Sequence, residues 1–129
     1  MTQIVWLLEE TVRAIQQRQI AEHGGSSGIR DEGLLLSALA RPQSQLAYCE
    51  HRPDLAALAA SYAFGIARNH PFVDGNKRTG LVSAQTFLLL NGVRLQVSQE
   101  EKYLTFIELA EGSLSEDQLA EWIRRHSSR

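Results

Sequence analysis

Two apolar helical patterns, over 55–66 and 81–90, are separated by a run that can continue neither of them. That run is His70-Pro71-Phe72-Val73-Asp74-Gly75-Asn76-Lys77-Arg78. Pro71 stiffens it. Gly75 opens backbone dihedrals closed to other residues, so the chain can turn sharply and a new helix can start near Asn76. Phe72 reads as an anchor into the core. A chain with this pattern is committed to two helices joined by a tight polar loop.

The same nine residues carry the candidate chemistry. His70 is the side chain type that takes a proton near neutral pH. Asp74 is a hard oxygen ligand of the kind that holds Mg²⁺. A helix starting at Asn76 points free N–H groups and a positive dipole end into the turn, where Gly75 and Asn76 can cradle an anion. Lys77 and Arg78 add a point charge and a planar fork suited to phosphate oxygens. Singly, each residue has a plainer reading: a helix-end histidine, an Asp-Gly-Asn turn, a solvated cation pair. Two cations in a first turn are slightly unfavourable, however, and need an anion to explain them. A base beside a phosphate site suggests transfer of a phosphorus group to a hydroxyl.

The remaining chain reads as helical. Val5, Leu8, Val12 and Ile15 place an apolar face on a helix over about 5–22. His23 reads as its end residue, and Gly24-Gly25-Ser26-Ser27-Gly28 as a flexible connector rather than a phosphate loop, since it lacks the Walker ending. Asp31 caps a second helix that is predicted to end before Pro42, with Leu34, Leu35, Ala38 and Leu39 inward. Residues 42–53 are expected to be irregular, with one helical turn at Ser44–Tyr48; Tyr48 and His51 are candidate surface or substrate-groove residues, with simple loop packing the favoured reading. Asp54 caps a third helix, whose small residues Ala56, Ala57, Ala59, Ala60 and Ala63 suggest close packing in the centre of the fold. The helix after the run is apolar nearly all round and is expected to be the central, buried one, with Gly92 at its end. Val93, Leu95 and Val97 alternate with polar residues, which suits a short extended segment near 93–97. Ser98 with Glu101 and Ser115 with Gln118 have capping-box spacing for two closing helices. Trp122 and Ile123 should seal the core, and Arg124, Arg125, His126 and Arg129 form a basic end, read as a solvated tail.

The run resembles the signature of the Fic/Doc (Fido) family, H-x-F-x-[DE]-[AG]-N-[GK]-R, with every specified position matched. Gly24 to Leu35, Ser37 to Pro42, Asn69 to Gly80 and Leu90-Asn91-Gly92 resemble the death-on-curing (Doc) branch. The resemblance covers about 4–125 as one Fido domain, with 126–129 as a short basic tail. It implies an all-α bundle of about six helices around a buried central helix. By the same resemblance, His70 is the base and Asp74 the Mg²⁺ ligand. Gly75, Asn76, Lys77 and Arg78 bind the phosphates of ATP, and Pro71 and Phe72 anchor the loop. The AMP-transferring branch has Gly where this chain has Lys77, and a second arginine where it has Leu81. The resemblance therefore favours phosphoryl transfer to a Ser or Thr hydroxyl of a protein, with elongation factor Tu as the target it points to and translation inhibition as the result. AMP transfer and an inactive helical binding module are the alternatives. No [ST]-x-x-x-E-[GN] inhibitory pattern is found: Glu111-Gly112 has Ile107 in the position needing Ser or Thr. An external antitoxin with a disordered tail that folds on binding is the implied partner.

Composition narrows the partners. The net charge of −2 offers no global basic field for nucleic acid. The single cysteine, Cys49, excludes an internal disulfide and a cysteine metal site, and is expected to be buried or inert. No stretch approaches the roughly 20 apolar residues of a membrane span, and no basic region precedes an apolar run at the start, so a cytoplasmic location is expected.

Overall fold

A computed structural model describes residues 3–128, apart from the side chain of Ala110. It contains six helices: α1 (Glu9–His23), α2 (Glu32–Tyr48), α3 (Leu55–Asn69), α4 (Asn76–Leu90), α5 (Gln99–Glu111) and α6 (Glu116–Arg125). Two short strands, β1 (Arg94–Leu95) and β2 (Ser127–Ser128), pair antiparallel. The architecture is all-α, as expected, with β1 inside the segment foreseen as extended. No described helix is long and apolar enough to cross a membrane.

Side chains start four of the helices. Asp31, Asp54, Ser98 and Ser115 accept from the amides of Leu34, Ala57, Glu101 and Gln118. At Ser115 the reciprocal bond from Gln118 completes a capping box. Gly92 follows α4 with a positive φ of 79°, the conformation that suits glycine after a helix end.

Which helix is central differs from the sequence expectation. Ten of the fifteen α3 residues are buried against eight of fifteen in α4, whose Leu89 and Leu90 are exposed. α3 packs on α2, α4 and α6 at once. Its small residues permit that. Gly80 of α4 lies so close to α3 that a Cβ there would sit 2.8 Å from the Ala63 carbonyl oxygen. Tyr62 of α3 and Phe87 of α4 meet with ring centroids 5.1 Å apart.

α1 starts at Glu9 rather than near residue 5, and Val5 and Leu8 are exposed. Long-range bonds hold the preceding segment out of the helix. The Val5 amide donates to Asn91 Oδ1, the Val5 carbonyl accepts from Asn91 Nδ2, and the Leu7 amide donates to the Tyr62 hydroxyl. α2 runs through Pro42 to Tyr48. A helix-interior proline costs about 3 kcal/mol. Here burial of its ring and the flanking ties from Arg41 and Gln45 to Glu116 of α6 offset it. Tyr48 and Cys49 are exposed rather than packed.

The C-terminal end is docked instead of loose. Arg124 forms ion pairs with Asp54 and Glu121, the His126 ring lies tilted against Trp122, and β2 pairs with β1. Ile123 is buried and Trp122 packs against the core. Arg129, counted with this basic end, lies outside the described residues.

Glu116 supplies a pH-dependent tie. Burial pushes its carboxyl pKa up. Hydrogen bonds from Arg41 and Gln45, with the Arg41 charge, outweigh burial and hold it below the ordinary glutamate value. A depressed carboxyl contributes stability above its unfolded pKa and loses it as pH falls through the folded one. Glu116→Gln is expected to lower stability by about 1 kcal/mol at pH 7, a value reduced for partial exposure. The difference from wild type should begin to shrink below about pH 4.3 and close as pH falls through the lower folded value, measured by urea unfolding at each pH.

Candidate active site

The end of α3 and the start of α4 meet at one cleft of about 290 Å³. His70, Val73, Asp74, Gly75, Asn76, Lys77 and Arg78 line it, joined by Phe106 from α5. The structure thus brings together six of the residues singled out in the sequence, and places Pro71 and Phe72 behind them in the protein interior. Phe72 is 1% exposed.

His70 caps the C-terminus of α3 with φ 50° and ψ 54°. It is the one non-glycine residue among those described with positive φ. This left-handed conformation costs an L residue about 1–2 kcal/mol, although histidine tolerates it better than most. Surrounding bonds hold it there. Arg30 donates from Nε to the His70 carbonyl at 2.7 Å and from Nη2 to the Asn69 carbonyl at 3.0 Å.

Asn76 locks the loop from inside. Its Oδ1 accepts from the Phe72 amide at 2.9 Å and its Nδ2 donates to the Phe72 carbonyl at 3.0 Å. The same Nδ2 lies 3.5 Å from His70 Nδ1. That separation is at the outer limit of a hydrogen bond and leaves both ring tautomers open. The Asn76 side chain is therefore committed to loop shape.

No side chain caps α4. Its N-cap is Gly75, left-handed at φ 71°. The first-turn amides, which lack intrahelical acceptors, face the cleft. Neither Lys77 nor Arg78 forms an ion pair with a carboxylate among the described residues. The Arg78 guanidinium lies 5.2 Å from the Phe106 ring centroid, with Nη1 3.5 Å from His23 Nε2. It is braced by two helices rather than neutralised.

Asp74 is exposed at the same mouth. One carboxylate oxygen accepts from the Gly75 amide at 3.0 Å and the other from the Ser26 amide at 3.4 Å. Each oxygen keeps a further lone pair. No group of three His, Cys, Asp or Glu side chains gathers among the described residues. A single carboxylate beside a phosphate cradle fits Mg²⁺, which is commonly held by one or two carboxylates and the substrate's phosphates.

The glycine-rich segment, expected as a flexible connector, joins α1 to α2 and also makes specific contacts. It runs beside the loop: Val73 N donates to Gly28 O, Arg30 N to Pro71 O, and Ile29 pairs with Phe72. Gly25 approaches Asp74 so closely that a Cβ would meet Oδ2 at 2.6 Å. Gln16, buried on α1, donates to the Asp74 carbonyl at 3.1 Å and the Ser26 carbonyl at 3.5 Å. A polar residue four positions after Val12 on a buried face was a signal that could have revealed Gln16. Arg30 and Phe106 carried no such signal.

A helix mouth with uncapped amides and two cations without carboxylate partners among the described residues thus shares one cleft with a histidine at the end of the preceding helix. The chain belongs to the Fic/DOC family, whose sequence profile matches residues 6–88. It is 38% identical over 116 residues to the "Protein kinase doc" of Escherichia phage P1, covering 90% of each chain. Over 72 residues it is 49% identical to the "Toxin Doc" of Mycolicibacterium smegmatis, covering 56% of this chain and 55% of that one.

Asn76→Ala removes the partner of the buried Phe72 amide. A loss of about 1–3 kcal/mol is expected, read as a lowered melting temperature.

Proposed function

We propose that this chain is a Doc-like toxin that transfers the γ-phosphoryl group of ATP to a Ser or Thr hydroxyl of a protein. The carrying observation is the shared cleft: His70, Asp74 and the uncapped start of α4 with two unpaired cations all line it. The kinase name of the phage relative supports the same reading.

In this mechanism the target hydroxyl gives its proton to a ring nitrogen of His70 as its oxygen attacks the γ-phosphorus. The bond from the γ-phosphorus to the β–γ bridging oxygen breaks, and ADP leaves. Amides at the start of α4 hold phosphate oxygens, while Lys77 and Arg78 meet charge on the transferring and leaving groups. Asp74 would hold Mg²⁺, which when bound neutralises phosphate charge. Lys77 and Leu81 stand where the AMP-transferring branch has glycine and arginine. Leu81 is 4% exposed and apolar, and cannot supply the hydrogen bonds of that arginine. This favours γ- over α-phosphate transfer. Elongation factor Tu is the target we propose to test first.

An antitoxin is the proposed partner. A second cleft, of about 260 Å³, lies between α1, α4 and α5 and shares Arg78 and Phe106 with the first. A disordered tail folding there would reach the site's cation directly. Coexpression with the antitoxin should relieve growth arrest.

Incubation with ATP labelled at the α- or γ-phosphate, followed by mass spectrometry of the target, tests the chemistry. A gain of about 80 Da marks phosphoryl transfer and about 329 Da marks AMP transfer. No labelling from either position would point to a binding module. His70→Ala is expected to lower transfer about 10²–10⁴-fold while circular dichroism stays unchanged. A near-normal rate would remove His70 as the base.

A further inference from the structure

Arg30 lies outside the nine-residue run, in the connection between α1 and α2, and does not line the cleft. It nevertheless contacts three consecutive residues at the end of α3. Its guanidinium donates to the carbonyls of Asn69 and His70, at 3.0 and 2.7 Å, and its own amide donates to the Pro71 carbonyl at 2.7 Å. Its neighbour Ile29 pairs with Phe72. Among the described residues Arg30 forms no ion pair with a carboxylate. Its Nε and Nη2 both donate to backbone carbonyls.

Those carbonyls belong to a helix C-terminus, where the last acceptors have no intrahelical donor and carry negative partial charge. A planar fork can bond two of them in fixed geometry, which a single ammonium does less well. The residue so held is His70, left-handed against its own preference. The direction in which its imidazole leaves the backbone follows from that φ and ψ.

We propose that Arg30 is a positioning residue. It holds the left-handed His70 peptide so that the imidazole faces the phosphate cradle. This rests on His70 being the base. Because Arg30 does not line the cleft, its loss should leave nucleotide binding nearly intact and slow the transfer step. A misplacement of the base of about 1 Å costs up to about 10²-fold.

The test uses the full chain with Arg30→Ala and Arg30→Lys. Two readouts are taken: kcat and KM for ATP, and the imidazole ¹H–¹⁵N spectrum. His70 signals are assigned by their loss in His70→Ala, and His23, His51 and His126 serve as internal references. For Arg30→Ala we expect kcat to fall about 10–10²-fold, KM for ATP to stay within threefold, and only the His70 signals to move. Arg30→Lys should recover part of both effects. Unchanged His70 signals overturn the proposal, and so does an unchanged kcat in an active enzyme. If the wild type transfers nothing, the phosphoryl-transfer reading fails on its own, and the His70 signals still decide whether Arg30 sets the ring. If Arg30→Ala does not fold, Arg30→Lys carries the decision: wild-type His70 signals and kcat there overturn the proposal.

Discussion

The close approach of α3 and α4 is the constraint on which the site depends. A glycine at 80 lets α4 rest against the Ala63 backbone, at a distance no Cβ would tolerate. Alanines at 56, 59, 60 and 63 keep α3 slim enough to sit among α2, α4 and α6. Two helices held this tightly bring their joined ends to one place. The end of α3 presents carbonyls and the start of α4 presents amides, so opposite ends of two helix dipoles border the same cleft. The histidine stands at the acceptor-rich end, and the cations stand at the donor-rich end. The histidine and the uncapped amides thereby become neighbours.

Two buried amide side chains stiffen this junction. Asn76 satisfies both backbone groups of Phe72, and Gln16 reaches across from α1 to the carbonyls of Asp74 and Ser26. Buried polar groups are costly when unpaired and rigidifying when paired. The loop is consequently shaped from within, while its outer side remains open. The glycine-rich segment completes the arrangement by lying alongside it, with Gly25 giving the Asp74 carboxylate room.

Lys77 and Arg78 remain without carboxylate partners in the first turn of α4, where the helix dipole opposes them. Arg78 is held by the Phe106 face and the His23 ring, from helices on either side. Such bracing fixes the position of a charge without cancelling it, which suits a site that receives an anion. It also joins the two clefts, since Arg78 and Phe106 line both.

Much of this was legible in the order of residues. Aspartate and serine caps marked where α2, α3, α5 and α6 begin, because a cap acts on amides two or three positions away. The run from His70 to Arg78 disclosed its chemistry because base, carboxylate, turn and cations are adjacent in the chain. What lay beyond was decided by contacts between distant residues. Val5 and Leu8 fit a helical face, yet pairing of Val5 with Asn91 and of Leu7 with Tyr62 holds that segment out of the helix. Pro42 reads as a stop, yet ties from its neighbours to Glu116 carry α2 through it. The last ten residues of α4 read as apolar nearly all round, yet α3, the helix richer in apolar residues, is the more buried and packs on three neighbours. Arg30 and Phe106 join the site from separate parts of the chain, and local spacing carries no record of them. Local backbone chemistry thus determined the caps, the turn and the candidate reacting groups. The tertiary structure alone decided how the histidine is held and what borders it, since those follow from packing and hydrogen bonds across tens of residues.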